Sequence, residues 1–121
     1  MDSILTSIKK LLGIAEEYEQ FDADVIMNIN SVFTILTQIG VGSPTGFSIS
    51  DKSAVWSDFI GEDSRLEIVK SYTHLKVKLL FDPPLGSAVI EALNRQISEF
   101  EWRIQITVDP ILETEEEIQN E

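Results

Sequence analysis

The sequence predicts an all-α fold: a small bundle of four to five helices, with a long loop between the second and third main helices and an extended C-terminal arm. Two observations carry this prediction. Apolar residues recur at steps of three and four over most of the chain, the spacing of amphipathic helices. Glycines and prolines interrupt that spacing at a few places and so divide the chain into helices. With 121 residues, 43% of them apolar, the chain is long enough to bury one hydrophobic core.

The first helix is predicted over residues 2–12. Its apolar residues share one face and are Ile4, Leu5, Ile8, Leu11 and Leu12. Lys9 and Lys10 near its end complement the helix dipole, and Gly13 follows as a stop. Residues 14–20 are expected to add one or two further helical turns.

The second helix is predicted to begin at Asp22, a good N-cap, and to end at Gly40. A wide apolar stripe runs along it, made of Val25, Ile26, Ile29, Val32, Phe33, Leu36 and Ile39. Residues 41–53 lose this periodicity and are rich in glycine and serine, so a loop is expected there, with a short extended piece at 47–49. A loop of this length is often a functional element rather than a plain connector.

A brief helical turn with two aromatic anchors is predicted over residues 54–60. Ser64 and Glu67 have the spacing of a capping box at the start of a helix that runs to about Phe81. That helix is apolar around much of its circumference, which favours a position at the centre of the bundle or against a neighbouring subunit. The two prolines that follow Asp82 end it.

The last helix is predicted to end near position 103. Apolar and polar residues alternate after it, which predicts a strand. The apolar positions of that strand are Ile104, Ile106 and Val108. A lone strand in a helical protein must pair with something outside its own chain. The prediction therefore divides the chain into a helical domain over residues 1–103 and, over 104–121, an extended arm followed by a mobile, acidic tail.

Composition excludes several classes of protein. The net charge is −12, and residues 109–121 hold six acidic and no basic residues, so half of that charge lies in the tail. Free nucleic acid is a poor partner, because phosphate binding needs clustered lysines and arginines. Without cysteine, disulfides, thiolate zinc sites and thiol nucleophiles are impossible. No apolar run of about 20 residues is present, and the first residues lack the pattern of a signal peptide.

No catalytic, cofactor-binding or metal-binding residue is predicted. His74 is the only histidine, which excludes His-based triads and multi-histidine metal sites. It shares a helical stripe with Lys70 and Lys78, and this basic stripe is predicted to lie at a subunit interface, against an acidic patch on a neighbour. The acidic segment 16–24 lacks the glycine and distal glutamate of an EF-hand loop, so it is interpreted as a solvated corner.

One string in the chain is distinctive: SYTHLKVKLLFDPPLGSAVIEALNRQISEFEWRIQI, residues 71–106. It resembles the small head-tail connector proteins, also called head-completion or adaptor proteins, of long-tailed bacteriophages and related prophages. The matching positions are Tyr72, Leu75, Lys76, Leu79 to Pro84, Arg95 to Ile97, Glu99 and Glu101 to Arg103. The opening segment Lys10 to Gly13 fits as well, so the resemblance extends over nearly the whole chain to about Asp109.

The resemblance implies a structural neck protein of the virion, without enzymatic activity or cofactor, that is made in the bacterial cytoplasm and ends at the head-tail interface. Such proteins form a closed ring, here of about twelve subunits, beneath the portal of the DNA-filled head. The implied partners are the phage portal protein and a second neck (stopper) or tail-completion protein. DNA passes through the channel without specific binding, and no membrane is involved.

The resemblance also implies roles for two segments. The arm that carries Ile104, Ile106 and Val108 is expected to face the portal. The loop over residues 41–53 is expected at the lumen or the distal side of the ring, and its candidate residues are Gly42, Pro44, Phe47 and Ile49.

A second function class stays open, that of an acidic helical regulatory protein or inhibitor that masks a basic surface on a DNA-binding partner. Residues 104–121 discriminate between the two classes. Binding through the apolar arm favours the connector, whereas binding through the acidic end alone favours the regulator.

Overall fold

The computed structural model describes the backbone of residues 3–120 and the side chains of residues 3–108. The described chain contains five α-helices: α1 Ile4–Leu11, α2 Asp22–Ile39, α3 Trp56–Ile60, α4 Ile68–Phe81 and α5 Ser87–Asn120. One turn of 3-10 helix, Ser64–Leu66, precedes α4. Residues 3–120 form no β-strand, and Ser3 and Val55 make one isolated bridge. The predicted small all-α bundle is confirmed.

α4 lies at the centre of the bundle, between α2 and α5. Tyr72 and Val77 on α4 are fully buried, and the Tyr72 hydroxyl donates a hydrogen bond of 3.3 Å to the Glu101 carboxylate on α5. Phe81 at the end of α4 contacts Phe21 beside the start of α2, with ring centroids 5.5 Å apart, so α2 and α4 run antiparallel. The central position expected for this broadly apolar helix is confirmed.

The chain between α1 and α2 wraps around a buried lysine. Lys9 is only 2% exposed, and its ammonium donates to the carbonyls of Glu16 (2.9 Å) and Tyr18 (2.7 Å) and pairs with the Asp22 carboxylate (2.7 Å). The predicted helical turns over residues 14–20 are wrong, because those two carbonyls turn towards the ammonium instead of along a helix. Asp22 is the first residue of α2 rather than its N-cap, and its side chain forms the ion pair with Lys9.

The long loop between α2 and α3 is held to the bundle at two points. The Asn30 side chain on α2 donates to the Ile49 carbonyl (2.9 Å) and accepts from the Ile49 amide (2.8 Å). Phe47 stacks on Phe59 of α3, with centroids 5.2 Å apart and an interplanar angle of 14°. The prediction of a loop over residues 41–53 is confirmed, and its two anchors join it to α2 and α3.

Replacement of Asn30 by alanine is expected to destabilise the fold by about 1–3 kcal/mol, because the backbone amide and carbonyl of the buried Ile49 lose their partners. Hydrogen exchange at the Ile49 amide should accelerate more than exchange at amides in α4. Asn28→Ala is the matched control, since Asn28 lies on the same helix and its side chain makes no hydrogen bond with a described residue. Equal exchange at Ile49 in both variants contradicts the anchoring role.

The start of α4 differs from the predicted capping box. Asp63, rather than Ser64, caps the 3-10 turn, and its carboxylate accepts a hydrogen bond of 3.0 Å from the Arg65 amide. Glu67 points towards Lys70 and forms an ion pair of 2.9 Å. The predicted capping box of Ser64 and Glu67 is therefore wrong, because an aspartate one residue earlier provides the cap.

α5 continues through the segment predicted to be a strand, so an extended arm over residues 104–108 is wrong. Ile97 and Ile104 lie seven residues apart, on one face of a helix, and both are buried in the core. One turn further, Val108 packs against Gly40 at the end of α2. The alternating pattern does not exclude a helix. A helix buries Ile104 and also satisfies the backbone hydrogen bonds of this segment within the chain, whereas a lone strand would leave them without partners.

The predicted division into a helical domain and a tail stays a prediction. The mobility expected of the acidic tail concerns residues 109–121, whose side chains lie outside the described part of the chain.

Candidate functional site

The surface of the bundle retains large apolar side chains that its core does not use. Within residues 3–108 these are Leu11, Tyr18, Phe21, Met27, Leu80, Leu85, Val89, Trp102 and Ile106. Two groups of them combine exposed aromatic rings with charges. We call the first the loop face, made of Glu16, Glu17, Tyr18, Glu19 and Phe21. We call the second the α5 face, made of Arg95, Glu99, Trp102, Arg103 and Ile106.

The loop face is built on the buried Lys9. Because the Lys9 ammonium holds the carbonyls of Glu16 and Tyr18, the backbone between α1 and α2 is fixed and its side chains point outwards. Tyr18 is 45% exposed and Phe21 is 40% exposed, and their ring centroids lie 5.5 Å apart. Phe21 in turn meets Phe81 edge to face. The result is an ordered aromatic surface surrounded by solvent-exposed glutamates.

The α5 face lies on the side of α5 opposite the core-facing Ile97 and Ile104. Trp102 is 57% exposed, and Ile106, one helical turn later, is 44% exposed. Arg95 stands seven residues before Trp102, on the same side of the helix, and pairs with no described side chain. Tryptophan and arginine are among the residue types most enriched at positions that dominate the binding energy of protein interfaces.

A surface ion pair flanks Trp102 on the α5 face. Arg103 donates two hydrogen bonds to the Glu99 carboxylate, of 3.1 and 2.9 Å, one helical turn away. This exposed pair contributes little to stability, about 0.3–0.5 kcal/mol. Because Glu99 already pairs with Arg103, Arg95 is the available cation of the face.

The residues predicted for the portal-facing arm do not form one surface. Ile104 is fully buried and Val108 is half-buried against α2, whereas Ile106 points outwards on the α5 face. The assignment of this segment to a portal contact stays a prediction. In the structure Ile106 is its only exposed apolar position among residues 104–108.

The candidate residues of the long loop divide into two kinds. Gly42 and Pro44 are exposed, and Pro44 borders a cleft of about 370 Å³ beside α5. Phe47 and Ile49 are the anchors of the loop, half-buried and buried respectively. Gly42 has φ +74°, and a Cβ there would stand 2.9 Å from the Phe59 ring, so only glycine fits. The expected lumenal or distal position of this loop stays a prediction.

The predicted basic stripe follows one side of α4 and is half-buried. Lys70 pairs with Glu67, and His74 lies against the end of α1, where Leu11 provides a backbone hydrogen-bond partner. Lys78 follows one turn later. The role of this stripe at a subunit interface stays a prediction.

The environment of His74 makes stability depend on pH. Burial lowers the pKa of His74 below its ordinary value of 6.5, while the Leu11 backbone raises it and the Lys78 charge lowers it further. The unfolded chain then binds the proton more readily than the folded one, so the free energy of unfolding should fall as the pH drops through about 6.5. Urea unfolding between pH 8 and pH 5 measures this, and His74→Gln should flatten the dependence near pH 6.5. An unchanged slope in that variant contradicts this assignment.

Within residues 3–108, no group of three or more histidines or carboxylates is arranged to hold a metal ion. No helix in the described part of the chain is both long enough and apolar enough to span a bilayer. The features that stand out from the bundle are therefore two surfaces suited to protein contacts.

Comparison with known proteins identifies the family. The family model described as phage connector protein matches residues 4–110. The matched range includes α1 to α4 and α5 as far as residue 110, and so contains the whole α5 face. No curated protein and no solved structure matches the chain. The match confirms the resemblance found in the sequence and gives the chain a structural role in the phage particle. The chain belongs to the phage connector protein family.

Proposed function

We propose that this chain is a structural neck protein that assembles into a ring and joins the portal of a DNA-filled head to the next neck protein or to the tail. In this role it needs no catalytic group and no cofactor. The family match over residues 4–110 is the observation that carries the proposal. Two exposed aromatic faces support it, since a monomer in solution gains nothing from leaving Trp102 and Phe21 in water.

The charge of the chain suits a ring through which DNA slides. Nine basic residues stand against 21 acidic ones, so the net field repels phosphates and disfavours a tight hold on the duplex. The acidic residues that follow Val108 are the proposed portal contact. The loop around Pro44 is proposed to lie at the lumen or towards the next ring.

Co-sedimentation with the portal ring from the same phage tests this function. A version that ends at Val108 is the informative truncation, because a cut at Arg103 would remove the buried Ile104 and damage the core. We expect the full chain to sediment with the portal. Loss of binding in the truncated version would assign the contact to residues 109–121, and retained binding would assign it to the bundle.

Failure of the full chain to bind the portal contradicts the proposal. If the same protein instead binds a basic DNA-binding protein in a salt-sensitive manner, the regulatory function becomes the better account. That binding would weaken as salt screens the acidic tail, with a Debye length of about 8 Å at 0.15 M salt.

A further inference from the structure

We infer that the loop face of one copy docks on the α5 face of the next copy, so that the chains join head to tail. This inference rests on the proposed ring, and it assigns the two surfaces that form the contact between neighbouring subunits. Both surfaces belong to every copy, and neither is covered by the chain's own described residues.

The two faces have complementary chemistry. On the loop face, Glu16, Glu17 and Glu19 are exposed and none forms an ion pair with a described side chain. On the α5 face, Arg95 is exposed and equally unpaired. The chain has three arginines, and two of them lie on the α5 face. A contact between these faces brings carboxylates to guanidinium groups at the rim of an aromatic centre.

The apolar centres of the two faces also suit each other. Tyr18 and Phe21 offer ring surfaces on one side, and Trp102 and Ile106 offer an indole and a branched aliphatic chain on the other. Tyrosine, tryptophan and arginine are the residues most enriched among those that dominate binding energy. Half-exposed aromatic rings bury large apolar areas when a partner covers them.

Both faces are held in place before they meet. The loop face is fixed by the three bonds of the Lys9 ammonium, and the α5 face is part of a continuous helix. Little backbone freedom is lost on contact, which favours association. A disordered acidic loop would not offer this advantage.

The contact must be heterologous, meaning that different surfaces of the two copies meet. Two loop faces brought together would place glutamates against glutamates, and like charges that face each other are costly. A heterologous contact repeats from copy to copy and gives a closed ring when the rotation closes. The loop face and the α5 face therefore form the contact, and because they differ, each copy joins the next in the same orientation.

Disulfide trapping tests the pairing directly, because the chain contains no cysteine of its own. Glu17→Cys and Arg95→Cys are made as separate full-length variants, mixed, and oxidised with copper phenanthroline, both free at high concentration and on the portal. We expect mixed 17–95 dimers to exceed the like-with-like dimers by about tenfold, which corresponds to about 1.4 kcal/mol. Ser50→Cys, in an exposed loop position outside both faces, mixed with Arg95→Cys is the matched control.

Charge reversal provides a second readout that does not depend on oxidation. Arg95→Glu and Glu17→Lys should each weaken assembly on the portal, and a chain that carries both should recover it, because every contact then pairs the reversed charges. Trp102→Ala should weaken assembly as well, whereas Met27→Ala, which truncates an exposed side chain on α2, should not. Recovery in the double variant excludes misfolding as the cause of the single losses.

The outcomes separate this inference from the proposed function. Portal binding by the full chain without preferential 17–95 dimers in either sample overturns the inference and leaves the proposed function standing. Preferential 17–95 dimers in a chain that does not bind the portal support the head-to-tail contact and overturn the proposed function. Dimers that are mainly 17–17 or 95–95 also overturn the inference, since they indicate a symmetric contact.

Discussion

Replacement of Phe33 by alanine is expected to lower the free energy of unfolding by about 3–5 kcal/mol. Phe33 is fully buried on α2, and three aromatic rings surround it. Its centroid lies 4.4 Å from Phe59, 5.8 Å from Phe47 and 6.0 Å from Trp56. These neighbours belong to the long loop and to α3, so the truncation also loosens the attachment of both segments to α2.

Urea unfolding followed by circular dichroism measures the effect of Phe33→Ala. Domains of this size are stable by about 5–15 kcal/mol, so the variant should lose a large fraction of its stability. Phe33→Leu should lose less and remain folded for comparison. Met27→Ala, on the exposed side of the same helix, is expected to change stability by less than about 0.5 kcal/mol. Similar losses for Phe33→Ala and Met27→Ala would contradict the assignment of Phe33 to the core.

Replacement of Asp22 by alanine is expected to cost about 3 kcal/mol, because it leaves the buried Lys9 ammonium without its counterion. The Lys9 side chain is 3% exposed, and the Asp22 carboxylate stands 2.7 Å from its nitrogen. Two carbonyl partners remain, but carbonyls do not neutralise the charge. The chain between α1 and α2 should loosen, and the amides near Tyr18 should exchange faster.

Asp24→Ala is the matched control for Asp22→Ala. Both aspartates lie in the first turn of α2, where a negative charge is favourable to the helix dipole, yet Asp24 is exposed and pairs with no described side chain. The difference between the two variants isolates the Lys9 pair. Thermal unfolding of both variants at pH 7 gives this difference, and equal melting temperatures would show that the ammonium is not buried in solution.

The helices of the bundle follow from apolar periodicity, and the sequence alone therefore predicts most of the fold. Residues such as Ile29, Phe33 and Leu36 recur at helical steps, and the structure buries all three. The prolines after Asp82 end α4 as expected. These signals are local, so they do not depend on how the helices pack.

The errors occur where a distant contact overrides a local signal. Lys9 looks like a surface cation at a helix end, and only the folded chain shows that it is buried under residues 14–20. A strand would place Ile104, Ile106 and Val108 on one face, whereas a helix places only Ile104 and Val108 there. Packing against the core decides between the two conformations. In both places tertiary structure supplies information that the local sequence lacks.

The candidate surfaces were harder to predict for a related reason. The sequence favours a core position for Trp102, and that interpretation is wrong, because the orientation of α5 leaves the indole 57% exposed. Tyr18 and Phe21 form a surface because Lys9 fixes the backbone around them. No sequence motif predicts those Lys9 contacts. Arg95 on the same face as Trp102 is a signal available from helical spacing once α5 is known to continue.

Electron cryomicroscopy of the neck in phage particles that carry this chain tests the central claim most directly. The account predicts a closed ring of helical subunits coaxial with the portal, in which the side of α5 with Trp102 meets the loop around Tyr18 of the next subunit. A neck in which no ring of this chain adjoins the portal would contradict it.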